Sequence, residues 1–238
     1  MIYERLSLCK LSLVLSLIFV VGCGNSANLE GKVEEGRGQP LANLKVVAKM
    51  SQPIKGHEQF EATTLADGSF KFVKLLPKSE YQLIFYYGGE REVKRFIIDS
   101  GPAGQTKILS EKVMIRFTYS KEGVVSDTKM NLMWAAKDSG AYTSWANAKF
   151  YCENYREGGY TDWRMPTLDE LAGLYDSATT GNKDYKLTPL IGLTEGGVWA
   201  SETSGSEGAF FYFNNGYRSW FPQSGINFIR ALPVRSGK

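Results

Sequence analysis
The 238-residue sequence predicts two domains: an all-β sandwich followed by an α+β domain with two helices. Three observations carry this reading. Through residues 28–118, short apolar or alternating runs recur at hairpin spacing with turn residues between them, the pattern of a β-sandwich. Beyond residue 119 the period changes, and two segments bear helix start and stop signals. Composition shifts at the same place. Residues 28–118 hold 14 basic and 11 acidic side chains (net +3), residues 119–238 hold 12 and 13 (net −1), and all five tryptophans lie in the second part. The domains are expected to meet near residues 117–121.

The chain opens with an address. Arg5 and Lys10 precede an apolar run, residues 11–21. At about eleven residues it is shorter than the roughly twenty a spanning helix needs, and with its basic start it reads as a secretory signal. It ends Val20, Val21, Gly22, Cys23. This resembles the bacterial lipobox, which implies a signal peptide over 1–22, acylation of Cys23 and membrane attachment through its acyl chains. Gly24, where the family's sorting rule places Asp for inner-membrane retention, implies passage to the outer membrane. Residues 23–28 are then an acylated tether. Cys9 leaves with the signal and Cys23 is modified, so Cys152 stands without an intrachain partner and reads as a small buried hydrophobe.

In the first domain, runs at 44–50, 60–64, 69–73, 81–87, 92–98 and 107–117 read as strands. Turns are expected at 38–40, 66–68 and 87–89. Asp67-Gly68 suits a tight turn because glycine tolerates positive φ, and Phe70 and Phe72, two apart, share one face. The order of Leu29, Gly31 and Val33, then Gly38, Pro40 and Leu41, Leu44 and Val46, then Thr64, Asp67, Gly68, Phe70 and Phe72, then Leu76, Pro77, Tyr81 and Leu83 resembles the carboxypeptidase-regulatory-like, transthyretin-type sandwich. That resemblance spans about 60 residues within a domain placed at 29–118, and implies a spacer. Turn chemistry is preferred to a calcium role for Asp67.

The second domain, 119–238, begins with a hairpin over 124–134, its turn at 127–131. Helix one is expected from about 144 to 157, capped by Thr143 or Ser144 and stopped by Gly158 and Gly159, with Trp145, Ala148, Cys152 and Tyr155 as its apolar stripe. Helix two opens on a capping box, Thr167 with Glu170, behind Pro166, and its apolar side is Leu168, Leu171, Leu174 and Tyr175. A polar stretch rich in Thr, Gly, Asn and Lys follows to about 197. Strands resume at 198–202, 209–213 and 217–221, the last two joined by Asn214, Asn215 and Gly216. A final strand is expected at 227–235.

A family is recognisable in these residues. Leu132 and Trp134, Trp145 and Ala148, Tyr151, Cys152 and Asn154, the run 158–167, Asp169 and Leu171, Trp199 and the closing run 229–235 resemble the Lcl-type C-terminal domain over about 110 residues. The resemblance implies a C-type-lectin-like fold, related to the scaffold of formylglycine-generating enzymes, in secreted and surface proteins. Many members carry a last-strand cysteine able to pair with the one on helix one. This chain has none there, and the paired catalytic cysteines of the formylglycine-generating enzymes are missing as well.

The function classes narrow accordingly. A net charge of +3 is too even for nucleic-acid binding through a broad basic face. A single histidine, His57, leaves no His-rich metal site or second route to a catalytic triad. No phosphate-binding glycine loop is present. No catalytic residues, cofactor or resident metal are therefore expected; a calcium site from Glu202 and Asn214 is the metal alternative weighed. Trp134, Trp145, Trp163, Asp162 and Arg164 read as architectural, with Asp162 and Arg164 paired around Trp163. Trp199, Glu202, Asn214, Asn215, Tyr217, Arg218 and Trp220, beside the late strands, are the expected ligand surface, aromatics stacking on sugar faces while polar groups bond hydroxyls. The expected function is recognition or adhesion at the envelope, with a glycan or surface protein as ligand. The alternatives are a structural module binding a partner protein and, more distantly, an envelope hydrolase.

Overall fold
The computed structural model describes residues 25–88, 91–120, 122–178, 185–226 and 228–237. The expected signal segment, 1–22, and Cys23 lie outside the described residues. The described residues are mostly β, with two α-helices and strands gathered into sheets of four.

The first domain contains β1 (Ala27–Glu35), β2 (Lys45–Met50), β3 (Gln59–Thr63), β4 (Ser69–Leu75), β5 (Glu80–Tyr87), β6 (Arg91–Asp99), β7 (Thr106–Ile108) and β8 (Val113–Ile115). One sheet runs β3-β2-β5-β6; in the other, β1 lies antiparallel to β4 and parallel to β7 and β8. Leu29, Val33, Phe70, Phe72, Leu83 and Phe85 fill the space between them. Phe70 and Phe72 do share a face, their rings edge-on at 5.9 Å. β1 begins at Ala27, so the end of the expected tether is already strand. The run 107–117 is not one strand: β7 and β8 pair with successive stretches of β1.

The second domain contains β9 (Phe117–Tyr119), β10 (Val124–Asp127), β11 (Leu132–Ala135), α1 (Trp145–Glu153), α2 (Leu168–Leu174), β12 (Gly197–Ser204), β13 (Glu207–Tyr212), β14 (Tyr217–Pro222), β15 (Ile229–Arg230) and β16 (Val234–Ser236). Its sheets run β16-β11-β10-β9 and β14-β13-β12-β15. Phe117 and Thr118 therefore belong to the second domain, through pairing of β9 with β10. The closing run divides: β15 joins β12, and after buried Ala231 and Leu232 the chain crosses to pair β16 with β11.

The β12–β14 sheet has a core on each face. Val198, Ala209 and Phe211 pack with Leu171 and Leu174 of α2, and Trp199 and Phe210 pack with Ala148 and Cys152 of α1. Helix one is shorter than expected, ending at Glu153, with Asn154 as its cap. Its start is capped by Ser144, and α2 has the full capping box of Thr167 and Glu170. The stretch before β12 is less polar in place than its composition implies, because Leu187, Leu190, Ile191 and Leu193 are buried in the α2-side core.

Arg116 alone separates β8 from β9. Across this junction the Gly36 amide donates to Thr128 Oγ1 at 2.7 Å, Arg37 donates to Asn131 Oδ1 at 3.1 Å, and Arg91 lies 3.7 Å over the Tyr119 ring. Val93 packs against both main cores.

Candidate functional site
The structure distributes the expected ligand residues rather than gathering them. Trp199 is fully buried, and its indole N–H donates to the Thr143 carbonyl at 2.8 Å. Withdrawing it to meet a ligand forfeits about 2–3 kcal/mol of burial and a hydrogen bond, so it is core. Glu202 accepts the Leu168 amide at 2.9 and 3.1 Å and so caps the start of α2. Asn214 is half-buried, and Asn215 closes the turn by accepting the Tyr217 amide at 3.1 Å.

Tyr217, Arg218 and Trp220 are exposed on β14, but side chains alternate along a strand. Opposite Phe211 and Ala209, Arg218 and Trp220 lie on the α2 face; Tyr217, opposite Tyr212, lies on the α1 face. Arg218 is occupied by Asp169 of α2 at 2.8 Å.

Trp134 and Trp163 are buried, and Trp145 donates to the Ala200 carbonyl at 2.8 Å. Asp162 and Arg164 do not pair with each other. Asp162 takes a two-bond contact from Arg235 at 2.7 and 2.9 Å, and Arg164 grips Glu170. The Trp163 loop is thus tied by one residue to the last strand and by another to α2. The Arg235 bonds hold the Asp162 carboxyl below its ordinary range, against a smaller opposing effect of burial.

A different feature has the form of a ligand site. A cleft of about 590 Å³ lies between residues 139–143 and the outer side of α1. The inward stripe of α1 is Ala148 and Cys152. Asn147, Phe150, Tyr151 and Asn154, at i, i+3, i+4 and i+7, consequently face the cleft. Phe150 is 68% exposed and Tyr142, on the opposite wall, 53%. Two exposed rings lining one cleft beside side-chain amides combine stacking faces with hydrogen-bonding groups.

Tyr142 is held from behind. The Arg230 guanidinium lies 3.9 Å from its ring centre, donates through Nε to Thr194 Oγ1 at 3.0 Å, and Thr194 bonds the buried Asp138 carboxylate. At the floor, Tyr151 approaches Tyr155 at 5.9 Å, and Tyr155 meets Trp163 edge-on at 5.1 Å. Burial raises the Tyr151 phenol and pushes Tyr155 up to about 12, so both stay neutral hydroxyls near neutral pH. Burial likewise pushes the Cys152 thiol up to about 12. A larger hollow of about 720 Å³ opens in the sandwich, lined by Leu65, Phe70, Ile108 and Leu109 and by charged side chains that include Glu30, Lys32, Glu61 and Lys71. It holds one aromatic ring and no side-chain amide.

The α1 cleft had one legible trace, Phe150 standing among Asn147, Lys149, Glu153 and Asn154 on the polar side of helix one. Tyr142 had none, because its placement depends on Arg230, far along the chain.

No curated protein matches the chain. Among solved structures it is similar to a DUF3823 family protein from Parabacteroides merdae ATCC 43184, at 20% identity and TM-score 0.28, covering 47% of this chain and 56% of that one. A DUF3823 family protein from Bacteroides ovatus ATCC 8483 is similar at 12% identity and TM-score 0.30, covering 47% and 62%. The full-length major pilin SpaD from Corynebacterium diphtheriae is similar at 17% identity and TM-score 0.29, covering 50% and 39%. The chain spans less than two thirds of the length of each. Residues 123–235, nearly the whole second domain, match the Lcl C-terminal domain.

Proposed function
We propose that this chain is an envelope-anchored recognition protein that binds a glycan in the α1 cleft and does not transform it. The reading rests chiefly on one observation: Tyr142 and Phe150 stand exposed on opposite walls of a cleft that also bears Asn147 and Asn154. A pyranose ring presents apolar C–H faces and a rim of hydroxyls, and this cleft offers aromatic faces and amides to match. The phenols of Tyr151 and Tyr155, which also line the cleft, add neutral hydroxyls. The match of residues 123–235 to the Lcl C-terminal domain supports a surface or envelope setting. In this proposal Cys23 carries the acyl anchor at the outer membrane. The transthyretin-type sandwich stiffens the connection, and the lectin-like domain carries the cleft.

The test is glycan-array binding by the full chain in detergent, followed by titration of the best ligand. Tyr142→Ala and Phe150→Ala should each weaken binding about tenfold, the loss of one stacking contact of about 1–1.5 kcal/mol. Trp220→Ala and Arg218→Ala should leave it unchanged. Full affinity in both cleft variants, with folding intact, would overturn the site. Release of the Cys23→Ser variant from membranes tests the anchor separately.

A further inference from the structure
We infer that the chain self-associates edge to edge through β14, forming a two-fold dimer with a second copy of itself. β14 ends its sheet and pairs only with β13 among the described residues. In a strand paired on one side, alternate backbone N–H and C=O groups point outward and can template another strand. Edges are ordinarily protected by bulges, prolines or charges. Here the register with β13 runs from Tyr217 to Pro222 without a shift, and the proline comes only at the last position. The one formal charge, Arg218, is engaged by Asp169. Around this edge stand Tyr217 at 61%, Trp220 at 42% and, on the following loop, Ile226 at 62% exposure.

The strand's own sequence selects the occupant. Antiparallel pairing about Ser219 sets Ser219 against itself, Arg218 against the second copy's Trp220, and Tyr217 against the second copy's Phe221. Each pairing occurs twice by symmetry. Arg218 with Trp220 is a cation–π pair on the α2 face; Tyr217 with Phe221 is an aromatic pair on the α1 face. The small Ser219 lies on the axis, where two large side chains would collide. An unrelated strand would have to supply that same order of cation, small residue and aromatic, whereas a second copy brings it by symmetry.

The experiment is oxidative cross-linking of the full chain bearing Ser219→Cys in a Cys9→Ser, Cys23→Ser background, in which the one other thiol is the buried Cys152. Residues directly opposed across an antiparallel pair have Cα atoms about 4.5–5.5 Å apart, within disulfide range. The expected result is a shift to twice the monomer mass on a non-reducing gel. Ser224→Cys, exposed but off the axis, should remain monomeric. Adding Trp220→Lys to Ser219→Cys sets a cation against Arg218 and should abolish the shift, while the far-ultraviolet circular dichroism and the urea midpoint stay close to those of the parent. A monomeric Ser219→Cys band, equal cross-linking at Ser224→Cys, or a shift insensitive to Trp220→Lys would each overturn the proposal. Sedimentation equilibrium of the unsubstituted chain needs no variant, and a monomer at every concentration would overturn it equally.

Discussion

Arg116 clasps Asp127 through two nitrogens, and the same Nη2 reaches the Gly173 carbonyl near the end of α2 at 2.7 Å. The residue that links the two domains is therefore bonded to the first hairpin of the second domain and to its second helix. Asp127 is 1% exposed and also accepts the Lys129 and Met130 amides. Arg116→Met should destabilise the protein by about 3–5 kcal/mol, because it leaves a buried carboxylate without its counter-charge. Urea unfolding followed by tryptophan fluorescence measures the loss. Adding Asp127→Asn should recover part of it, since the uncompensated charge is then gone.

The Asp67-Gly68 turn is equally specific. Gly68 has φ +75°, and a Cβ placed there would sit 2.2 Å from the Val33 carbonyl oxygen. That oxygen belongs to the backbone of β1 and cannot swing aside. Gly68→Ala should cost about 3 kcal/mol or more, combining left-handed strain with displacement of β1. Its signature is a lowered urea midpoint for the first domain.

What the sequence discloses follows the range of the interactions. The capping box of Thr167 and Glu170 and the turn at Gly68 are complete within a few residues, so local pattern reveals them. Glu202 caps α2 from 34 positions away, and a carboxylate beside a strand of aromatics looks the same in sequence whether it faces ligand or a helix start. Asp162 and Arg164 bracket Trp163 in sequence, but β16 and α2 come closer in space and take one each. Leu187, Leu190, Ile191 and Leu193 sit among Thr, Gly and Lys without a helical or strand period, so composition hides a core segment. The β14 residues were legible as exposed aromatics but not as belonging to opposite faces of the sheet.

Acid should weaken the fold through Glu170. Burial pushes its carboxyl up, but the bonds from Arg164 and from Thr167 together outweigh that and leave it below its ordinary 4.5. A carboxyl lowered on folding contributes stability above its unfolded value and loses it as pH falls through its folded value. Thermal midpoints should therefore stay level down to about pH 5 and decline below about 4.5. Glu170→Gln should lower the midpoint at pH 7 and flatten the acid decline, as read by calorimetry across pH.

Cys152 should behave as a hydrophobe rather than a reagent. It is fully buried with Ala148, Trp199 and Ala231, and its thiol is pushed up to about 12. Only the thiolate alkylates readily, so at pH 8 the folded protein should leave Cys152 unmodified by iodoacetamide. Denaturation should expose it to full labelling, with peptide mass mapping separating it from the other cysteines.

Arg230 offers a way to separate orientation from folding at the cleft. It is 7% exposed, and its Nη1 has no hydrogen-bond partner among the described residues. Part of a buried cation is thus carried without compensation, a cost that an apolar side chain of similar length removes. Asp138, its indirect counter-charge, keeps the bonds from Thr194 and Gly140. Arg230→Met should therefore change stability by only about 1 kcal/mol. Tyr142, however, loses the guanidinium that fixes its ring, and ordering that ring then falls to the ligand. Affinity for the bound glycan should drop about fivefold while the unfolding midpoint hardly moves, a cost of about 1 kcal/mol for immobilising one side chain. Equal affinity in the variant would show that Tyr142 is set by its own loop and not by Arg230.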